Sequence, residues 1–256
     1  MISFFKKKKR AKKTTLPPNV DLPPLKADMH SHLLPHLDDG SESVEQSLDL
    51  LRSFAELGYQ KLVMTPHVMG DFYRNTKEDI LGKLNLLRQE ATQAGINLDL
   101  EAAAEYYLDE SFIARLDNNE DLLCFGGDKR YVLFETSYMN PFPQLEDVIF
   151  RLQAADYTPV LAHPERYLYW FEKPEKILEL PERGVLLQVN INSLTGYYSR
   201  PSQKIAEMLI EEGVVRFLGS DCHGERHLEA LQKARTLKSY QKALSLEILN
   251  NTLVES

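Results

Sequence analysis

The sequence has little cysteine, no long apolar run and no secretory signal. Cys124 and Cys222 are the only cysteines among 256 residues, so a disulfide framework is not expected. No apolar run approaches the roughly 20 residues that a bilayer requires, which argues against a transmembrane helix. These absences favour a cytoplasmic protein, and a chain of this length can bury about three quarters of its unfolded surface in one domain.

Positive charge is scarce outside the first 13 residues. The net charge is −8, but MISFFKKKKRAKK at residues 1–13 holds seven lysines and arginines, and the rest has 23 basic and 38 acidic residues, or −15. Such an acidic body repels nucleic acid, so we expect no nucleic-acid partner. It also repels phosphate esters unless cations lie in its binding site.

The basic arm at the amino end has two interpretations. It is a solvated tail that keeps the protein soluble, or it is a peripheral contact with the anionic inner face of a membrane. The second reading follows from Phe4 and Phe5 beside charges that contribute roughly 1 kcal/mol each at such a surface. A proline-rich spacer, LPPNVDLPPL, follows the charges. The sequence therefore predicts an arm over residues 1–24 and one domain over 25–256.

Apolar runs typical of strands alternate with helical patterns, as in parallel βα units. Helices are predicted from Ser43, spaced with Gln46 as a capping box, and after Thr76, with weaker patterns at 144–155, 173–182, 201–212 and 225–253. The seven expected strands are 25–30, 61–65, 97–104, 131–135, 158–162, 185–190 and 215–220. Periodicity alone fits both a closed barrel and an open sheet.

Most of the predicted strands end in side chains that can bind metal ions. The sixth strand offers only Asn190 and Asn192, which are weak ligands. A lone histidine at a strand end is usually a hydrogen-bonded core or turn residue, but burying many such groups together without compensation would cost many kcal/mol. A cluster of divalent cations would remove that cost. The candidates, in chain order, are His30, His32, Asp39, His67, Glu105, Glu135, His163, Asp221 and His223.

The spacing and type of these ligands indicate which metals they suit. In His30-x-His32 both imidazoles fall on one side of an extended segment, and Asp221-x-His223 does the same for a carboxylate and an imidazole. Mixed nitrogen and oxygen ligands favour manganese, iron, zinc or cobalt over calcium or magnesium. The absence of thiolates argues against a structural zinc site.

Taken in order, DMHSHLLPHLDDG, TPH, AEYY, FET, AHPER and SDCHG resemble the PHP superfamily of metal-dependent phosphoesterases. Within it, the chain is most similar to the bacterial protein-tyrosine phosphatases of capsule and exopolysaccharide gene clusters. The resemblance covers about residues 25–231. It implies a distorted (β/α)7 TIM-like barrel, up to three metal ions with manganese foremost, and hydrolysis of phosphotyrosine on a partner tyrosine kinase at the membrane.

The resemblance also implies roles for individual residues. The nine candidates above match the family's metal ligands, although Glu101 competes with Glu105 because both lie on one strand face. Arg166 in HPER matches a catalytic arginine that contacts the phosphate. Arg226 comes early for the family's second arginine, so its role as a second phosphate ligand stays open. Tyr167, Cys222 and Gly224 depart from the usual residues of these motifs.

Other interpretations of the sequence remain open. CFGGDKR, from Cys124 to Arg130, has the Cys-x5-Arg spacing of thiolate phosphatases, but it runs into a predicted strand, whereas that chemistry needs a helix N-terminus. Two rival functions are a small-molecule phosphatase of histidinol-phosphate type and a metal-bound module that docks on a kinase without catalysis. His36 and His227 are expected to face solvent.

Overall fold

The computed structural model describes residues 24–254. The basic residues of the predicted arm therefore lie outside the described part of the chain. Within that part, no helix is both long and apolar enough to span a membrane.

The described chain alternates strands and helices, which confirms the predicted α/β class with parallel sheets. The strands are β1 (Ala27–Asp28), β2 (Lys61–Met64), β3 (His67–Val68), β4 (Asp99–Ala102), β5 (Glu105–Tyr107), β6 (Tyr131–Glu135), β7 (Thr158–Leu161), β8 (Leu186–Asn190) and β9 (Val215–Gly219). The α-helices are α1 (Val44–Glu56), α2 (Lys77–Gln93), α3 (Glu110–Asp117), α4 (Leu145–Ala154), α5 (Arg200–Glu211), α6 (Glu225–Ala234) and α7 (Lys238–Leu244).

All strand pairs are parallel and follow the order of the chain. One sheet has the order β1-β2-β4, and the other has the order β3-β5-β6-β7-β8-β9. Seven of the nine described strands overlap the seven predicted ones, whereas β3 and β5 follow β2 and β4 after short breaks and lie beyond the predicted ranges 61–65 and 97–104. A parallel bridge between Ser31 and Cys222 also joins the segment after β1 to the segment after β9.

Four of the seven α-helices of the described chain, α1, α2, α3 and α5, begin where a side chain accepts a hydrogen bond from a first-turn backbone N–H group. Ser43 accepts a hydrogen bond from the Gln46 backbone at 3.1 Å and caps α1, but Gln46 Oε1 accepts from Glu42 N at 2.8 Å instead of closing the predicted capping box. Thr76 and Asp79 do form a complete box at the start of α2. Both helices bury one apolar stripe against the sheets.

Some predicted helical patterns are wrong in type or extent. Residues 173–182 form 3-10 turns over Pro174–Glu179 and Pro181–Arg183 rather than an α-helix. The pattern at 225–253 divides into α6, α7 and a final 3-10 turn, and α3 was not predicted at all. Pro181 has no N–H to donate to the carbonyl of Ile177, so a regular α-helix that begins at Pro174 cannot continue through it.

Two hydrophobic clusters support the sheets. The larger lies between helices and strands, and includes Phe54, Leu84 and Leu209. The smaller joins side chains of β1, β2, β6, β7 and β9 around Phe217, with Phe125 and Leu253 beside it. Buried polar side chains, among them His30, Glu135 and His163, lie at or just beyond the carboxyl ends of β1, β6 and β7.

Candidate metal centre

The nine predicted ligands meet at the carboxyl ends of the parallel strands. His30 and His32 follow β1, Asp39 lies in the loop between β1 and α1, and His67 and Glu105 begin β3 and β5 just after β2 and β4. Glu135 ends β6, and the last three ligands follow β7 and β9. Groups of three or four of these side chains place one ligand atom each within 4.8 Å of one another, and every one of the nine belongs to such a group. Their role as metal ligands remains a prediction, but the structure brings all of them together.

Four atoms form the innermost group: His30 Nε2, His32 Nε2, Glu105 Oε2 and Asp221 Oδ1. Five of the distances among them lie between 3.2 and 3.5 Å. Bonds of about 2.1 Å to one metal ion set neighbouring ligand atoms about 3.0 Å apart at octahedral angles and about 3.4 Å apart at tetrahedral angles. The observed spacing therefore fits His30, His32 and Asp221 around one cation, with Glu105 beside both histidines.

Two further groups surround the first. Asp39 Oδ1 lies 3.6 Å from His67 Nε2 and 3.4 Å from His223 Nε2. On the other side, His163 Nε2 lies 3.0 Å from Glu105 Oε1 and 3.8 Å from Glu135 Oε2. Because the two oxygens of Glu105 face different groups, this carboxylate can bridge two cations.

Orphaned buried atoms show that these groups aim at a common point rather than at one another. His67 Nδ1 and Glu105 Oε2 are 3.1 Å apart, yet neither has a hydrogen-bond partner among residues 24–254. A buried polar atom without a partner costs about 1–3 kcal/mol. A cation beside Glu105 Oε2 would satisfy that oxygen, so the residues present fit a divalent metal.

The electrostatics of the centre also favour cations. Burial alone lowers the pKa of His30, but the carboxylates of Glu105 and Asp221 outweigh it and raise that pKa to about 9. His67 responds in the same way to Glu105 and Glu135, and its pKa rises to about 10. Burial by itself would raise the pKa of Asp221, but neighbouring histidines outweigh burial and hold that pKa well below its usual range. Positive charge is therefore stabilised throughout this cluster.

Supporting side chains fix which histidine nitrogen is free. Gln188 Oε1 accepts from His30 Nδ1 at 2.9 Å, and Asp38 Oδ2 accepts from His32 Nδ1 at 2.6 Å. Each bond leaves Nε2 as the nitrogen with a lone pair, which is the usual arrangement for a metal-binding imidazole. Asn190 Nδ2 donates to Asp221 Oδ2 at 2.6 Å. Strand β8, which is the sixth predicted strand, thus orients ligands instead of supplying them.

The sequence reasoning missed these supporting residues. Asp38 could have been found, because it precedes Asp39 in the same DDG motif, whereas nothing in the local sequence marks Gln188. The backbone at the ligands is also unusual, since His163 has φ 32° and Asp221 has φ 50°. Such left-handed conformations cost about 1–3 kcal/mol at non-glycine residues and are common at functional sites.

Arg166 is held in a fixed orientation beside the cluster. Its Nη1 donates to Asp221 Oδ2 at 2.7 Å, and its guanidinium lies 4.8 Å from the ring centre of Tyr138 and 4.0 Å from that of Tyr198. The side chain is 22% exposed, and that part lines a pocket. Arg166 is therefore placed to contact an anion above the cluster.

The pocket above the cluster has a volume of about 590 Å³. Its polar floor is formed by the outer ligands and Arg166, and its sides include Met69, Tyr73, Tyr107, Tyr138 and Met139. Arg226 is exposed and lines a neighbouring cavity of about 430 Å³, so it does not share the pocket with Arg166. The second predicted phosphate contact is thus not placed beside the first.

His227 does not face solvent as predicted. It lies half-buried on α6, lines the pocket, and its ring centre is 5.1 Å from that of His223. Burial, reinforced by the nearby His223 and Arg166, lowers its pKa to about 4. His36 is exposed, as expected.

Cys124 lies far from this centre in the fold. It precedes β6 at the amino end of the strand, and Phe125 bridges back to Tyr131. Burial raises the pKa of its thiol, which disfavours the thiolate that a nucleophile requires. The Cys-x5-Arg spacing is therefore coincidental.

The chain is similar to several known proteins. A family model for capsular polysaccharide synthesis, CpsB/CapC, matches residues 26–251. CapC of Staphylococcus aureus is 29% identical over 232 residues, which is 89% of this chain and 90% of that protein. The tyrosine-protein phosphatase YwqE of Bacillus subtilis is 26% identical, over 77% of this chain and 76% of its own.

A crystal structure from a study of YwqE from Bacillus subtilis and CpsB from Streptococcus pneumoniae, described there as unique metal-dependent tyrosine phosphatases, shares the fold. Its TM-score is 0.78 at 24% identity, covering 90% of this chain and 94% of that one. Histidinol phosphate phosphatase from Lactococcus lactis, solved with zinc, L-histidinol and phosphate, has a TM-score of 0.57 at 16% identity, covering 86% and 94%.

Proposed function

The chain belongs to the CpsB/CapC family of capsular polysaccharide synthesis, and from that membership we propose that it is a metal-dependent protein-tyrosine phosphatase. The observation that carries the proposal is the convergence of nine nitrogen- and oxygen-bearing side chains on one pocket beside Arg166. Its physiological substrate is phosphotyrosine on a membrane-associated tyrosine kinase, and its role is to regulate capsular or exopolysaccharide synthesis.

The ligand groups suggest three metal ions. His30, His32 and Asp221 would hold one, with Glu105 shared; Asp39, His67 and His223 a second; and Glu105, Glu135 and His163 a third. Manganese is the first candidate, and iron, zinc or cobalt would suit the same mixed ligands. Bound divalent cations supply Lewis-acid charge and lower the pKa of water, and they offset the acidic body that otherwise repels a phosphate ester.

The chain's own residues orient the substrate. Arg166, fixed by Asp221 and two tyrosine rings, would donate hydrogen bonds to the phosphoryl oxygens. In hydrolysis, an oxygen from water forms a bond to phosphorus while the bond to the phenolic oxygen breaks, which gives tyrosine and inorganic phosphate. Because the phenol of tyrosine has a pKa near 10, it leaves readily. His227, with a pKa of about 4, is neutral at neutral pH and does not serve as a stored proton.

The fold proposed for this activity is a closed, distorted barrel of seven βα units. The bridge from Ser31 to Cys222 and the backbone hydrogen bonds from His32 N to Cys222 O at 2.9 Å and from Asp221 N to His30 O at 2.8 Å link the first and last strands. These contacts support closure, as does the inner cluster shared by five strands. The barrel would form one domain over residues 25–256.

The basic residues 1–13 suggest where the enzyme acts. They would bring a cytoplasmic protein to the inner face of the membrane, where the kinase lies, by attraction to anionic lipids. The proposal predicts that the full chain binds anionic vesicles at low salt. Equal binding by a variant that lacks residues 1–15 would contradict it.

A small-molecule phosphatase is the second candidate, because the histidinol phosphate phosphatase shares the fold. Comparing kcat/KM for a phosphotyrosyl peptide and for histidinol phosphate separates the two. Preference for the peptide supports the proposal, and preference for histidinol phosphate favours the alternative.

The principal test combines metal removal with a matched pair of variants. We expect purified protein to contain divalent metal, to hydrolyse phosphotyrosine, to lose activity on chelation and to regain it when manganese is restored. His163→Ala should remove activity with folding retained, whereas His36→Ala, at an exposed histidine, should not. Full activity in the chelated protein would refute the proposal. If neither the variants nor the wild-type protein hydrolyses phosphotyrosine, the remaining interpretation is a non-catalytic docking module.

A further inference from the structure

Exposed apolar side chains gather around the mouth of the pocket. Among residues 24–254, six large hydrophobic side chains are exposed, and two of them lie on helices α2 and α4 as Leu86 and Phe150. The others follow the carboxyl ends of strands, on the side of the fold that carries the metal centre. Three of these are called here the apolar collar: Met139, which lines the pocket, Phe72, which precedes the pocket residue Tyr73, and Tyr197, which lines the neighbouring cavity.

The loop that carries Phe72 is firmly anchored. Met69 N donates to Tyr73 O at 2.8 Å, and Gly70 N donates to Asp109 Oδ2 at 2.8 Å. Asn75 Nδ2 donates to His67 O at 2.8 Å. Phe72 is nevertheless 76% exposed, although both neighbours of its turn, Met69 and Tyr73, line the pocket.

Met139 and Tyr197 extend the collar to other sides. Met139 is 64% exposed and itself lines the pocket. Tyr197 is 40% exposed and lines the neighbouring cavity, which shares His223 and His227 with the pocket. The two cavities therefore adjoin, and apolar groups lie beside both.

We propose that the apolar collar binds apolar residues that flank the phosphotyrosine in a polypeptide substrate, and so selects polypeptides over small phosphate esters. The inference rests on the proposed phosphatase function. The cation-binding floor takes the phosphoryl group, and the tyrosines and methionines of the pocket wall take the phenol ring. Phe72 lies outside the pocket lining, where a small ester has no atoms but the chain on either side of a phosphotyrosine does.

The rigid presentation of Phe72 favours this role over that of an incidental surface residue. A flexible loop would lose conformational entropy on binding, whereas an anchored loop loses little. Aromatic and methionine side chains are enriched at the centres of protein interfaces. The collar also continues directly into the pocket through Met69, Tyr73 and Met139, so one peptide can occupy both.

The test compares one double variant with a matched control on three substrates. The substrates are p-nitrophenyl phosphate, a phosphotyrosyl peptide with leucines beside the phosphotyrosine, and the same peptide with serines. The double variant is Phe72→Ser with Tyr197→Ser, which changes two collar residues outside the pocket lining. The control is Phe150→Ser, which changes a side chain that is 69% exposed on α4 and contributes to neither cavity.

We expect wild type to prefer the leucine peptide to the serine peptide. The double variant should lower the ratio of kcat/KM for the leucine peptide to that for p-nitrophenyl phosphate about tenfold, mainly through KM. Phe150→Ser should keep the wild-type ratio. An unchanged ratio in the double variant, or an equal fall in the control, would overturn the collar while the phosphatase function stands. If wild type hydrolyses no phosphotyrosyl substrate, the phosphatase function itself fails.

Discussion

Replacing Glu105 by glutamine tests whether its carboxylate joins two metal ions. Glu105 Oε2 lies 3.2 Å from His30 Nε2 and 3.4 Å from His32 Nε2. The other oxygen, Oε1, lies 3.0 Å from His163 Nε2. Glutamine keeps the volume and one oxygen, but it removes the charge and directs an N–H donor at one of the two groups.

The expected magnitude follows from the number of ions affected. Changing even an outer partner of a metal ligand commonly weakens metal affinity 10- to 100-fold, so we take about 100-fold as the minimum for a direct ligand. That corresponds to about 2.8 kcal/mol for each cation. Because Glu105 faces two groups, we expect at least one ion per chain to be lost. The kcat/KM for a phosphotyrosyl peptide should fall at least about 100-fold.

Glu101→Gln is the matched control, because Glu101 competes with Glu105 on the same face of the predicted strand. Glu101 Oε2 lies 2.9 Å from Lys61 Nζ, and its side chain is 26% exposed. The buried Lys61 keeps Asp99 at 3.4 Å as a second partner, so we expect a loss of about 1–3 kcal/mol in the free energy of unfolding and unchanged metal content.

The assay is elemental analysis of both purified variants, with circular dichroism to verify folding and peptide hydrolysis at saturating manganese. Wild-type metal content and activity in Glu105→Gln would refute the bridging role. Equal losses of metal and activity in both variants would show that Glu105 has no more direct role in metal binding than Glu101.

Three further changes test other parts of the molecule. Cys124→Ser should leave phosphotyrosine hydrolysis within about twofold of wild type, since the thiol is remote from the centre; loss of activity would restore the thiolate mechanism. Gly40→Ala should lower metal affinity, and it should lower the free energy of unfolding by about 1–3 kcal/mol, because the added Cβ would lie 2.1 Å from His32 O. Isothermal titration measures the metal affinity, and urea denaturation measures the free energy of unfolding. Unchanged values would contradict the prediction. Tyr167→Phe removes a hydroxyl that accepts a hydrogen bond from Thr136 N at 3.2 Å and donates one to the Ala162 carbonyl at 3.0 Å. Urea denaturation should therefore show a loss of about 2–4 kcal/mol in the free energy of unfolding. A loss below about 0.5 kcal/mol would mean that water replaces the hydroxyl.

The strand pattern was predictable because buried parallel strands are nearly continuous apolar runs. The expected strand at 97–104 nevertheless ends at Ala102, and a separate strand, Glu105–Tyr107, begins just beyond it, because the chain changes pairing partner at the break. Glu105 therefore lies within a strand rather than beyond its end. Periodicity reports which residues are buried, but it does not report where a ladder changes register.

The environment of single residues was less predictable. His227 is on a helix, as the sequence indicated, yet its helix turns it toward the pocket. Gln188 and Asn190 looked like weak ligands or ordinary strand residues, and they orient His30 and Asp221 instead. These contacts join residues that are more than 30 positions apart in the chain or lie on different strands. A local sequence pattern therefore cannot predict them.

By itself, the sequence determined the class of fold, the family and the chemical types of the candidate ligands, because strand periodicity and ligand motifs are local properties of the chain. Only the tertiary structure decided that Glu105 and not Glu101 faces the cluster, that Arg226 lies apart from Arg166, and which atoms lie 3.0–3.8 Å from one another. The physical reason is that these distances depend on the order and register of parallel strands, which are set by packing of the whole core rather than by any one segment.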